Sequence, residues 1–347
     1  MSPENGSTTL ATALLTAVIL VLALITAAGL GATAKHKTED GKQPAAVLWR
    51  DPVDITSRDL FYGSGGQKDE PQGPFTFVKE DLHGANPKFE LRDSKGVKWK
   101  AKLGFEARPE TAASRLIWAA GYFTAEYYVV PVLRIHNLPT LLERGNQYIE
   151  ADRSMLNVRL KRHPPEAKGE RFWKWRHNRF SGTREFNGLR VMMSLINNWD
   201  LKDDNNVIYR VEDRSGQVED VYSVSDLGSS FGTPAQSWSG TRSKGNLETY
   251  SSSSFIRRIA PGMVDFGAPG RPSYFVLVDP YLFAHEMHMR WIGEQIPRSD
   301  AIWIGRILSR LSRDQIRDAF RAAGYTPDEV EGFADAVVKR IAELNGL

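Results

Sequence analysis

The sequence predicts an α+β protein in two lobes: a small, mostly antiparallel β lobe with one helix, then a larger, mainly helical lobe. An N-terminal hydrophobic helix precedes both. Three observations predict this. Strand-like runs joined by tight turns, with one helical run among them, occupy about residues 75–135. From Tyr281 onward the chain is a succession of helical stretches. From Asn5 to Ala34 there is no charged residue. The length of 347 residues suits two domains or one bilobal one. Hydrophobic residues at 41% and charged residues at 25% are ordinary globular values and exclude a wholly disordered chain. The net charge is only +3, from 45 Lys+Arg against 42 Asp+Glu. With no cysteine, disulfides, thiolate zinc sites, iron–sulfur clusters and a cysteine nucleophile are excluded.

Residues 1–34 are read as a signal peptide or transmembrane anchor. A helix from Leu10 to Ala34 would be about 37 Å long, enough to cross a hydrocarbon core. Ala32-Thr33-Ala34 before Lys35 suits signal-peptide cleavage. The length, and the absence of a positive charge before the segment, suit a retained single-span anchor. Lys35, Lys37 and Lys42 would then keep the body cytoplasmic. Membrane anchoring and export after cleavage near Ala34 both stay open.

Residues 35–74, rich in Gly, Pro, Lys and Asp, read as a tether and irregular lead-in. Phe75–Val78, Lys88–Arg92 and Val97–Leu103 read as strands. The last alternates strictly, with Trp99, Ala101 and Leu103 on one face and Lys98, Lys100 and Lys102 on the other. Asp93–Gly96 is the hairpin turn. A helix starts near Pro109 and Glu110 and stops at Gly121. Tyr127–Ile135 is again strand-like, interrupted by Pro131.

The stretch Arg153–Arg184 holds ten Lys+Arg against Glu166 and Glu170, with Phe172, Trp173, Trp175 and Phe180 interleaved. It reads as a solvated insert anchored by aromatics. The competing reading is a surface for phosphate, nucleic acid or anionic lipid; no specific nucleic acid partner is expected. Glu185–Trp199 has an apolar stripe at helical spacing. Val207–Val211 and Asp220–Val224 form a hairpin, and the Ser/Gly-rich residues 229–254 a long loop. Helices follow at Tyr281–Ile296, Ser299–Arg310, Arg313–Ala323 and Pro327–Leu344. His285 and His288 form an H-x-x-H pair with no evident third ligand.

Between these elements lie Asp200-Leu201-Lys202-Asp203-Asp204-Asn205, a D-L-K-x-x-N run after an apolar helix, and Asp226-Leu227-Gly228, a D-x-G at the end of the following hairpin. With a lysine-bearing strand and a helix starting at Glu110 upstream, this order resembles the protein-kinase-like superfamily. The resemblance covers most of residues 75–345. Trp199 and Asn198 stand where protein kinases have Arg and His, Leu227 replaces an aromatic, and G-x-G-x-x-G and A-P-E are missing. Gly63-Ser64-Gly65-Gly66 lies too far upstream to be a phosphate loop and reads as linker. The layout is therefore more similar to the atypical branch: HipA-type kinases, phosphoinositide kinases and secreted Golgi kinases.

The resemblance implies a kinase-like N-lobe over 75–150 and C-lobe over 151–347, with ATP and Mg²⁺ as cofactors. Lys102 would be the phosphate lysine, with Lys100 as the alternative, and Glu110 its ion-pair partner. Asp200 would orient or deprotonate the acceptor hydroxyl, and Lys202 would stabilise the transferring phosphoryl group. Asn205 and Asp226 would hold the metals. The turn His83–Lys88, with Gly84 and Lys88, would lie over the phosphates. The acceptor is not named by the sequence. A pseudokinase acting as a membrane-tethered or exported scaffold is the alternative, and an anionic-surface binder built on the basic insert is a third reading.

Overall fold

The computed structural model describes residues 44–347, apart from 85, 163–170, 213–215, 235–242, 268–269 and 271–272. The expected N-terminal hydrophobic helix lies outside the described residues. Among these, no helix is long and apolar enough to cross a membrane.

Fourteen strands and seven α-helices are formed by the described residues, in a mixed α+β architecture with the β-rich part first. The chain opens on β1 (Ala45–Val47), then β2 (Phe75–Asp81), β3 (Lys88–Arg92) and β4 (Lys98–Lys102). The β3–β4 turn is fastened by Asp93. Its Oδ1 accepts from the Lys95 and Val97 amides and its Oδ2 from Trp99 Nε1, all at 2.9 Å. Helix α1 (Ala107–Ala119) follows, ended by Gly121 at φ +95°, where a Cβ would fall 2.3 Å from the Arg50 carbonyl. Next come β5 (Phe123–Thr124), β6 (Tyr127–Leu133), β7 (Ile135–His136) and β8 (Met155–Arg162). Six of these strands form one sheet in the order β6-β8-β4-β3-β2-β7. β6 is an edge strand, which is why Pro131 is tolerated in it.

β8 corrects the reading of Arg153–Arg184 as a solvated insert. Its first part is a strand inserted between β4 and β6, with Val158, Arg159 and Leu160 buried. The sheet therefore runs past residue 150, where the first lobe was expected to end. The lead-in is also corrected. Leu48, Ile55 and Leu60 are core residues, and β1 pairs in parallel with a later strand. Gly63 of the supposed linker is pressed on the buried Arg115 side chain.

After β9 (Arg171–Phe172) comes α2 (Arg184–Leu195), capped by the Thr183 hydroxyl accepting from the Phe186 amide. β10 (Asn206–Glu212) and β11 (Val218–Val224) then form the expected hairpin, joined at its sides by β1, β5 and β9. The Ser/Gly-rich region is not all loop: it contains α3 (Leu247–Ser252), and Phe231 and Tyr250 are fully buried. A hairpin missed from the sequence follows, β12 (Ile256–Ala260) and β13 (Met263–Phe266). The helix expected over Tyr281–Ile296 is shorter, α4 (Pro280–Met289). Beyond it, buried Arg190 takes the carbonyls of Trp291, Ile292 and Glu294, so they are satisfied without a continuing helix. β14 (Ile296–Pro297), α5 (Arg298–Leu308), α6 (Arg313–Ala322) and α7 (Pro327–Asn345) complete the chain. Capping boxes at Ser312 and Thr326 start the last two helices. The sheet has its own apolar core around Phe89, Leu91 and Trp99. The larger core joins α1, α2 and α5–α7. α1 thus ties the two parts together, and the charged residues at its start lie where they meet.

Candidate functional site

Lys102 ends β4, and its side chain is covered by the start of α1 and the end of β11. Its ammonium lies 2.6 Å from Glu106, 2.8 Å from Asp226 and 3.1 Å from Glu110. Lys102 and Glu110 are each only 2% exposed. Glu110 has a second cation, Arg159 Nη2 of β8, at 2.9 Å. Glu106 has a second partner too, Lys244. Burial alone would pull Lys102 down, but Glu110, Asp226 and Glu106 outweigh it and hold the ammonium protonated far above its usual range. Burial pushes Glu106 and Asp226 up, yet Lys102 leads the opposing effects and holds both carboxyls below their usual values.

Lys100 is not in this cluster. Two residues upstream on the same strand, it reaches Asp81 at 2.8 Å. The difference is burial: Lys102 is enclosed by Glu106 and Glu110 at the start of α1, whereas Lys100 stays partly exposed.

Asp226 leaves β11 in a left-handed conformation, φ +55°, one of the few roles a non-glycine residue of short polar side chain fills readily. At Gly228 a Cβ would fall 2.6 Å from the Glu106 Cβ, so the D-x-G turn is seated directly against the start of α1. The turn Asp200–Asn205 is fastened to the same strand end. Ser225 donates to the Asn205 carbonyl through its amide and its hydroxyl, both at 2.9 Å. Asn205 Nδ2 donates to the Asp200 carbonyl at 2.9 Å, which leaves its Oδ1 as a possible oxygen ligand. Asp200 Oδ1 pairs with Lys202 at 2.9 Å. Burial opposes the Lys202 charge, but Asp200 raises its pKa above the ordinary value. Asn198 caps this turn, its Oδ1 accepting from the Asp200 amide.

Lys88 stands on β3 opposite Lys102. Burial, then the Lys102 charge, lower its pKa, with partial relief from Asp226 and Asp81. It has no ion-pair partner among the described residues. Gly84, at φ +74°, lies beside it; a Cβ there would be 3.1 Å from the Lys88 Nζ. Ala85 of the expected phosphate-covering turn lies outside the described residues.

Lys102, Glu110, Asp226, Asp200, Lys202, Asn205 and Lys88 are thus brought to one region, and Lys100 stands apart. Glu106, Arg159 and Lys244 were missed, and His285 was read only as half of an H-x-x-H pair. Glu106 could have been found: Lys102, Glu106 and Glu110 recur at a spacing of four, and the two glutamates share a helix face. Arg159 lies in a run where Val158 and Leu160 alternate with cations, a weak strand signal. Lys244 has no signal in its Ser/Gly-rich surroundings. His285 of α4 lies in the field of Lys202 and Asp200, with a buried Nε2 that has no hydrogen-bond partner among the described residues; burial lowers its pKa. With His288 it finds no third ligand: among the described residues no three His, Asp or Glu gather as a ready metal cage.

No protein-family profile matches the chain, and no curated protein matches it. Six chains of solved structures match. One is the Helicobacter pylori proinflammatory kinase CtkA, 11% identical with a TM-score of 0.43, over 80% of this chain and 98% of that one. The likeness is distant, and the functional argument rests on the site.

Proposed function

We propose that the chain is an ATP- and Mg²⁺-dependent phosphotransferase acting on a hydroxyl acceptor. The observation that carries this reading is the Lys102–Glu110–Asp226 cluster, assembled from three separate elements beside the Asp200–Asn205 turn. The donor set fits a nucleotide. Lys88 is a half-buried cation without an anion, next to Lys102, and a polyphosphate would relieve their repulsion. Asp226 and the remaining Asn205 oxygen are hard ligands, suited to Mg²⁺, which takes one or two protein groups and completes its shell with phosphates and water. Bound ATP and Mg²⁺ would supply the phosphoryl group and the charge neutralisation.

The chain's own residues would then act as follows. Lys102, aligned by Glu110, and Lys88 bind phosphate oxygens. Asp200 accepts the proton of the acceptor hydroxyl. Lys202, paired with Asp200, offsets negative charge on the group in transfer. Glu106, also paired with Lys102, helps to hold it in place.

Asp200→Asn should abolish transfer and spare nucleotide binding, while Asp226→Asn should damage both. Mg²⁺-dependent nucleotide titrations, with autophosphorylation as the transfer readout, test this. Equal nucleotide affinity in wild type and Asp226→Asn would reject the metal role, and undiminished transfer in Asp200→Asn would reject the base. One observation favours the alternative, a pseudokinase scaffold: three carboxylates already surround Lys102. That reading predicts no turnover by wild type, whatever it binds. Membrane anchoring or export through residues 1–34 remains part of the proposal.

A further inference from the structure

The exposed large apolar residues of this chain are unevenly spread. Tyr274, Val276, Leu277, Val278, Tyr281 and Met287 stand in solvent within fourteen residues, Leu277 at 82% and Tyr281 at 71% exposure. They lie on the 3₁₀ turn Ser273–Leu277 and on α4. A helix whose outer face meets only water normally presents polar residues there. An exposed apolar run of this kind marks a surface that something covers.

A cationic rim adjoins the strip. Arg176 donates to the His288 carbonyl of α4 at 3.4 Å, and its guanidinium lies over the Trp291 ring at 4.9 Å. Around it Lys174, His177 and Arg179 are exposed, while Trp173 and Trp175 between them are buried. The basic, aromatic stretch of the sequence is thus divided by the fold: its tryptophans anchor inward and its cations point outward. The rim also touches the candidate site, because the Trp175 amide donates to Asp203 Oδ1 at 2.9 Å.

We infer that the 273–289 strip and its 174–179 rim form a docking surface for an anionic lipid bilayer. The apolar side chains enter the interface and the cations meet the headgroups, the pattern of interfacial protein segments. The chain's own sequence supports this occupant. Only nine residues, 35–43, separate the uncharged segment ending at Ala34 from Pro44. With that segment in a bilayer, the tether would hold Pro44 within about 35 Å of the surface. This contact is separate from the N-terminal segment and does not depend on phosphoryl transfer. It would turn the Asp203 side of the site toward lipid.

The absence of native cysteine allows a direct test on the full chain. A fluorophore is placed on Leu277→Cys, with Val338→Cys of α7 as the control position. Both are bound to phosphatidylcholine vesicles with brominated acyl chains, with or without phosphatidylserine. The expected result is strong quenching at position 277 on phosphatidylserine vesicles and little at position 338. Lys174→Glu with Arg176→Glu, or high salt on the unaltered rim, should reduce the quenching at 277 severalfold. The inference is overturned by four outcomes: vesicle binding without quenching at 277, equal quenching at both positions, quenching indifferent to phosphatidylserine and salt, or no vesicle binding at all.

Discussion

Lys88 and Lys102 stand opposite each other on adjacent strands, and only Lys102 is surrounded by carboxylates. The pair is electrostatically incomplete. Lys102 is held charged by three anions, while Lys88 is pulled toward neutrality by burial and by Lys102 itself.

Lys88→Met should therefore weaken Mg·ATP binding about tenfold, or ~1.4 kcal/mol, the scale of one charge-assisted hydrogen bond. The sign with pH follows from the depressed pKa. Bound phosphate would raise the Lys88 pKa again, so over that range binding takes up a proton and affinity falls as pH rises through the depressed value. Lys88→Arg keeps its charge and should flatten that decline. Isothermal titration in buffers of different ionisation enthalpy measures both effects. Unchanged affinity in Lys88→Met would remove Lys88 from the site.

Glu106 should govern part of the acid stability. Its folded-state pKa is depressed by Lys102 and Lys244, so its stabilisation is full above the ordinary 4.5 and is lost as pH falls through the folded value. Glu106→Gln should lower stability at neutral pH by about 3 kcal/mol, because two partly or fully buried ammoniums lose a carboxylate. Its difference from wild type should shrink in acid. Melting temperatures from pH 7 downward report the trend; a constant difference at every pH would contradict it.

Gly228→Ala should displace the start of α1. The added methyl would meet the Glu106 Cβ, which cannot swing away as a side-chain end could. A loss of about 1–3 kcal/mol is expected from overpacking. Nucleotide binding should weaken as well, since Glu106 and Glu110 both leave the same helix end. Chemical denaturation and nucleotide titration of the variant check the two effects separately.

Arg340 should prove a structural cation. It is buried in α7 and donates to the carbonyls of Ser194 and Leu195 at the end of α2, and to Tyr250 and Ser253. No carboxylate opposes it among the described residues. Arg340→Met should cost about 3 kcal/mol or more by leaving several buried carbonyls unpaired. Arg340→Lys should recover less than half, having no planar fork. Denaturant midpoints of the two variants measure this.

The sequence by itself determined what depends on near neighbours. Strict alternation from Val97 to Leu103 places the lysines on one strand face. Asp93–Gly96 specifies a turn, and the order of Lys102, Glu110, Asp200, Asn205 and Asp226 along the chain marks out a candidate site. The tertiary structure alone decided which charges are buried. Lys100 and Lys102 are equivalent in the alternating pattern, and only the position of α1 separates them. Arg159 reads as one more solvated cation until β8 is inserted between β4 and β6. Lys244 is brought to Glu106 across 138 residues. Residues 44–74 read as a tether until Leu48, Ile55 and Leu60 are found in the core. The physical reason is the same in each case. Periodicity and turn chemistry act over a few residues, whereas desolvation of a charge or an apolar side chain is set by whatever distant segment closes over it.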